Sequence, residues 1–144
     1  MPRVAQFGIA LGALGMVLAL MGLFPGVTGQ PPTPGIGIVQ IVAILIGLSM
    51  LVVGALVYVK FTFYFGKTSN LGQQIGLRLA LTGLVFASLA GMADFLGFGS
   101  HLRTATSDIL LGPLQALGMI GSFVVSSIGV ILYAVAGTSG KDDE

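Results

Sequence analysis

No cysteine occurs among the 144 residues, which excludes disulfides, thiolate metal sites and cysteine nucleophiles. Charge is scarce as well: 8% of the residues are charged, against roughly 25% in an average soluble domain. The six basic residues are scattered and form no patch for nucleic acid, so no nucleic-acid partner is expected. There is one histidine, His101. A single chain therefore cannot supply a bis-histidine haem, and with no cysteine or glutamate near His101 no metal site is expected. Acid–base and nucleophilic chemistry need a base beside a nucleophile. One His, one Asp in apolar sequence and scattered Ser do not provide that arrangement, so neither an enzyme nor a cofactor is expected.

What remains is apolar: 55% of the residues are hydrophobic and the mean hydropathy is +1.03. A bilayer core about 30 Å thick needs about 20 helical residues at 1.5 Å each. Four stretches meet that length, near Val4–Phe24, Ile36–Val59, Leu77–Phe98 and Leu114–Ala136. The expectation is an all-α integral membrane four-helix bundle, one membrane domain over residues 1–144. The first stretch follows a basic start, as a signal peptide would, but it is too long for one.

Small residues mark these stretches. Ala5, Gly8, Gly12, Gly15, Ala19, Gly22 and Gly26 recur at steps of three and four, so a helix here carries one edge of tiny side chains. Helices in lipid gain nothing from mutual hydrophobic burial and associate through close packing, for which such edges are the signature. Ala43, Gly47 and Gly54 continue the theme in the second stretch, Gly76, Ala80, Gly83 and Ala87 in the third, and Gly118, Ser122, Ser126 and Gly129 in the fourth.

Sliding the sequence by 75 residues without a gap brings Arg3 onto Arg78, Ala5 onto Ala80, Gly8 onto Gly83, Leu14 onto Leu89 and Gly22 onto Gly97. In the second limb Gly37 meets Gly112, Gln40 meets Gln115, Gly54 meets Gly129 and Tyr58 meets Tyr133. The chain reads as two tandem transmembrane hairpins, with halves 1–66 and 76–141, in a parallel internal repeat.

Arg3, Lys60, Lys67, Arg78 and Lys141 share one side of a four-span topology, and only Arg103 falls on the other. The basic side is cytoplasmic by the positive-inside rule. This predicts a multi-pass protein of the inner membrane of a prokaryote, with both termini in the cytoplasm. Tyr58, Phe61, Phe63, Tyr64 and Phe65 surround Lys60 as an aromatic belt at that interface. Asn70 followed by Gln73 has the spacing of a capping box, and Pro113 either kinks the fourth span or follows a short interfacial helix.

Asp94 is the only acidic residue within a span and falls on the small seam between Ala90 and Gly97. Intramembrane ionisable groups are functional candidates by default. His101, Arg103 and Asp108 share the following loop and join it in a candidate polar cluster, with Gln40 and Gln115 as matched polar groups on the second and fourth spans. For the glutamines the simplest role is hydrogen bonding between helices. Gly66-Lys67-Thr68 ends like a phosphate-binding loop, but Phe61 stands where that loop needs glycine.

The leading expectation is a structural or accessory membrane subunit that packs through small-residue faces against copies of itself or other membrane subunits within the lipid bilayer. The alternative is a small-solute or ion transport or binding protein that uses Asp94 near the outer face.

Overall fold

The computed structural model describes residues 2–29, 37–93 and 113–139. Four helices account for most of these: α1 (Pro2–Leu23), α2 (Ile38–Phe63), α3 (Leu71–Gly91) and α4 (Pro113–Ser139). They hold 21 to 27 residues each, or about 31–40 Å at 1.5 Å per residue. All four are long and apolar enough to cross a membrane. No strand occurs among the described residues.

The helix boundaries have local causes. Proline at the first helical position costs no hydrogen bond, and α1 carries Pro2 there. Pro113 is the first described residue of α4, and what precedes it lies outside the described residues, as does the choice between a kink and a separate interfacial helix. At the other end of α1, Pro25 drives Phe24 out of helical geometry (φ −124°, ψ 73°), and a short 3-10 turn over Pro25–Thr28 closes on Gly29 at φ 76°. Helix α3 begins at Leu71, six residues before the expected span, because Asn70 caps it: the Asn70 Oδ1 accepts from the Gln73 amide (2.8 Å) and the Gln73 Oε1 from the Asn70 amide (3.2 Å). It ends at Gly91, with Met92 at φ −102° and ψ 9°. The expected span reached Phe98, so the helical phase that set Asp94 on the seam stops short of it.

Two antiparallel hairpins result. Helix α1 packs along α2, and α3 along α4. Helix α2 also lies against both α3 and α4, whereas α1 has substantial helix contact only with α2. The central position of α2 creates two core clusters. One joins Ile41, Ile44 and Leu45 to Ala87 and Met119, and the other joins Val52, Leu56 and Tyr64 to Ala80 and Tyr133. Outward faces carry bulky apolar side chains throughout, among them Phe7, Val17, Phe86, Leu117 and Ile131, each more than half exposed. Such faces suit lipid and would be a liability in water.

Candidate functional site

The predicted small-residue edges are the contact surfaces inside each hairpin. In α1 the buried positions are Ala5, Gly8, Gly12, Gly15, Ala19 and Gly22, all from the expected seam. Gly26 is not one of them: it lies in the 3-10 turn with nothing within 4 Å of the position a Cβ would take. A Cβ on Gly8 would stand 2.8 Å from the Tyr58 amide nitrogen, on Gly15 2.7 Å from that of Leu51, and on Gly22 2.9 Å from Ile44 Cγ1. From the opposite side, Gly47 would meet the Gly15 carbonyl at 2.6 Å and Gly54 the Gly12 amide at 2.6 Å. Backbone approaches backbone here, and only hydrogen fits at Cα.

The second hairpin repeats this set. A Cβ on Gly76 would lie 2.6 Å from the Tyr133 amide, on Gly83 2.7 Å from the Ser122 carbonyl, and on Gly129 2.6 Å from the Gly76 carbonyl. Gly118 faces Ala90 at 3.2 Å, and Ala80 and Ala87 have no exposed surface. Gly76 thus plays the part of Gly8, Ala80 of Gly12, Gly83 of Gly15, Ala87 of Ala19 and Ala90 of Gly22. Each pair is 68 positions apart, while Gly54 and Gly129, Leu51 and Ser126, and Tyr58 and Tyr133 are 75 apart.

Matched by contact partner, the second limbs of the two hairpins correspond at an offset of 75 residues and the first limbs at 68. Seven residues are two helical turns less about 20°, so a seam of small residues looks the same in either register. Contact partners distinguish the two.

These seams are matched within the chain: α1 spends its edge on α2, and α3 on α4.

Polar side chains brace the same contacts. Ser126 has no exposed surface, and its hydroxyl donates across the helix pair to the Ala80 carbonyl at 2.9 Å. Gln40 does not reach another helix through its Oε1. That atom accepts from the Gly37 amide at 2.7 Å and caps α2. Gln115 is buried in the first turn of α4. Asp94, His101, Arg103 and Asp108 lie outside the described residues.

A bracing cluster at the end shared by the α2–α3 turn and the last turns of α4 was not foreseen. Tyr64, expected in the exposed belt, is buried against Tyr133 and donates its hydroxyl to the Ala134 carbonyl. Asn70 Nδ2 donates to the Ala136 carbonyl at 2.6 Å, and Gln73 Nε2 to that of Tyr133 at 3.5 Å. Gly66, at φ 73°, makes the turn that lets Tyr64 point inward while Phe63 and Phe65 stay exposed. The Asn70–Gln73 spacing revealed the cap; nothing in it revealed the reach to α4.

Arg3, Lys60, Lys67 and Arg78 are all exposed; the first three lie at this same end of the bundle and Arg78 about two turns into α3 from it. Among the described residues no group of His, Cys, Asp and Glu is placed to hold a metal. Comparisons with family models, with characterised proteins and with solved structures give no match to this chain.

Proposed function

We propose that this chain is a structural or accessory multi-pass membrane subunit, a prefabricated pair of helical hairpins presented in the bilayer to copies of itself or to other membrane subunits. One observation carries the reading: the charged side chains described are all exposed, three of them at one end and Arg78 about two turns into α3, and of the buried polar groups Ser126, Gln73 and Gln115 the first two brace backbone. Among the described residues that interior is apolar apart from these three side chains, which suits a rigid unit. The outward faces, bulky and apolar, are the surfaces left for lipid and partners.

The two hairpins are, in this reading, copies of one unit in a parallel repeat. The contact equivalences support it, and so does the sequence once the first limbs are offset by 68: Gln6 matches Gln74, Gly8 Gly76, Leu11 Leu79, Gly15 Gly83, Val17 Val85 and Ala19 Ala87. The basic end faces the cytoplasm of a prokaryotic cell, and both termini share that side. Blue-native electrophoresis after gentle extraction, with chemical cross-linking in the intact membrane, tests the assembly. Species larger than one chain are expected; a lone monomer with nothing co-purifying overturns the proposal.

A further inference from the structure

Among the described residues Arg78 is the charged side chain that lies more than one turn inside a helix, and it faces outward. It belongs to an exposed row along α3, Gln74, Arg78, Thr82, Val85 and Leu89, whose steps of three and four set the side chains one above another. Down this row charge gives way to hydroxyl and then to hydrocarbon.

Helix α1 supplies a control within the same chain. At the offset of 68 that matches contact partners, the row reads Gln6, Ala10, Leu14, Val17 and Met21, again all exposed. Gln6 and Val17 repeat Gln74 and Val85, so the rows differ in the middle, where α1 has alanine and leucine and α3 has arginine and threonine. Packing inside the hairpin does not account for the exchange, because neither row belongs to a glycine seam. Among the described residues nothing bonds to the Arg78 guanidinium or the Thr82 hydroxyl, whereas Ser88 returns its hydroxyl to the Leu84 carbonyl of its own helix at 3.0 Å. Both donors are therefore directed at whatever surrounds α3.

Depth identifies those surroundings. Ala80 shares a core cluster with Val52 and Leu56, which sets Arg78 near the level of Leu56 and about one helical turn, roughly 5–6 Å, deeper than Lys60. A helical side chain leans toward the N-terminus of its own helix, and for α3 that is the basic end. The guanidinium is carried back toward the level of Lys60, into the headgroup layer.

The interfacial layer outside the hydrocarbon is about 5–8 Å thick on each side of a bilayer. Side chains four apart on a helix, as Arg78 and Thr82 are, stand about 5–6 Å from each other. A phospholipid crossing that layer presents phosphate, then ester carbonyls, then acyl chains. The row offers a planar guanidinium fork for the phosphate, a hydroxyl donor for an ester carbonyl and apolar side chains below, in the same order. A carboxylate on a neighbouring protein helix would satisfy Arg78 alone and leaves that order unexplained.

We propose that the outer face of α3 binds the headgroup of an anionic phospholipid, with Arg78 on the phosphate and Thr82 on an ester carbonyl. An anionic headgroup is favoured over a zwitterionic one, whose own cation competes for the phosphate. The proposal rests on the membrane reading above and is independent of which protein partners the chain has.

Native mass spectrometry of the protein in detergent micelles titrated with phosphatidylglycerol or phosphatidylcholine tests it. One phosphatidylglycerol per chain is expected to persist as the micelle is stripped, with phosphatidylcholine retained less. Arg78→Gln should lower the affinity for phosphatidylglycerol about tenfold, as loss of a hydrogen bond to a charged group does. Arg3→Gln, which removes another exposed cation, should leave it unchanged. Absence of a one-to-one adduct, equal retention of the two lipids, or an equal loss in Arg3→Gln overturns the site. Inorganic phosphate at the lipid's concentration should not displace the lipid; displacement would mean a site for soluble anions and overturns it too.

A second measurement uses the unmodified chain in bilayers. Phosphatidylglycerol carrying a photoreactive diazirine on its acyl chain should label α3 around Val85 and Leu89 more than α1 around Val17 and Met21. Equal labelling of the two helices means ordinary lipid contact and overturns the site while the membrane reading stands. No label on any of the four helices overturns both.

Discussion

Gly54 of α2 lies so close to Gly12 of α1 that a Cβ on Gly54 would stand 2.6 Å from the Gly12 amide nitrogen and 2.9 Å from its α-carbon. Gly129 has the same relation to Ala80 in the other hairpin, its Cβ position 2.9 Å from the Ala80 α-carbon. Because the obstacle is backbone, it cannot rotate away, and the substitution has to separate the helices.

Glycine replacements in α2 and α4 should therefore divide by contact. Alanine in a helix normally gains about 0.5–1 kcal/mol over glycine. Gly121 has nothing within 4 Å, so Gly121→Ala should show that gain. Gly54→Ala and Gly129→Ala should instead lose about 1–3 kcal/mol, the usual range for overpacking. Equilibrium unfolding in mixed micelles gives the sign directly, and a stabilised Gly54→Ala would refute the packing.

Serine replacements separate a bond between helices from a bond within one. Ser126→Ala removes the link to the Ala80 carbonyl and should cost about 0.6–1.7 kcal/mol, the range for such bonds in membranes. Ser127→Ala removes only a bond to its own helix and should change stability by about zero. The same unfolding measurement checks both, and equal effects would deny the cross-helix role.

At Asn70 two roles can be split. Asn70→Ala loses the α3 cap and the tether to Ala136, with about 0.5–2 kcal/mol expected from the cap alone. Asn70→Asp keeps an acceptor for the Gln73 amide but cannot donate to Ala136. It should fall between wild type and alanine in stability, and trypsin should cut at Lys67 faster than in wild type. Unchanged cleavage in the Asp variant would remove the tether.

The topology can be read with single cysteines, since the chain has none of its own. Lys67→Cys and Val27→Cys should react with a membrane-impermeant maleimide from opposite faces of sealed vesicles, Lys67 from the cytoplasmic one. Labelling from one face would mean that α2 does not cross.

The transport alternative turns on Asp94. Vesicles carrying wild type and Asp94→Asn should show the same background proton and sodium flux by entrapped dyes. A flux present in wild type and lost in the variant would replace the structural reading.

The helices and their inner faces were legible in the chain because both follow from local regularities. Apolar length sets the spans, the Asn70 cap sets the start of α3, and a repeat of three and four puts Gly8, Gly15, Gly47 and Gly54 on single edges. The register of α1 against α3 was not legible, since a shift of seven residues preserves a helical face. Tyr64 was misplaced for a related reason: its exposure depends on the turn at Gly66 and on where α4 ends.

By itself, then, the sequence determined four apolar helices and the edge each presents to a neighbour. Each of these depends on residues within a few turns of one another. Only the tertiary structure decided that the glycine edges are consumed in pairs inside the chain and that α2 takes the centre. Those outcomes rest on contacts between segments tens of residues apart, where van der Waals fit and the covalent tie between α2 and α3 choose among arrangements that hydropathy alone treats as equal.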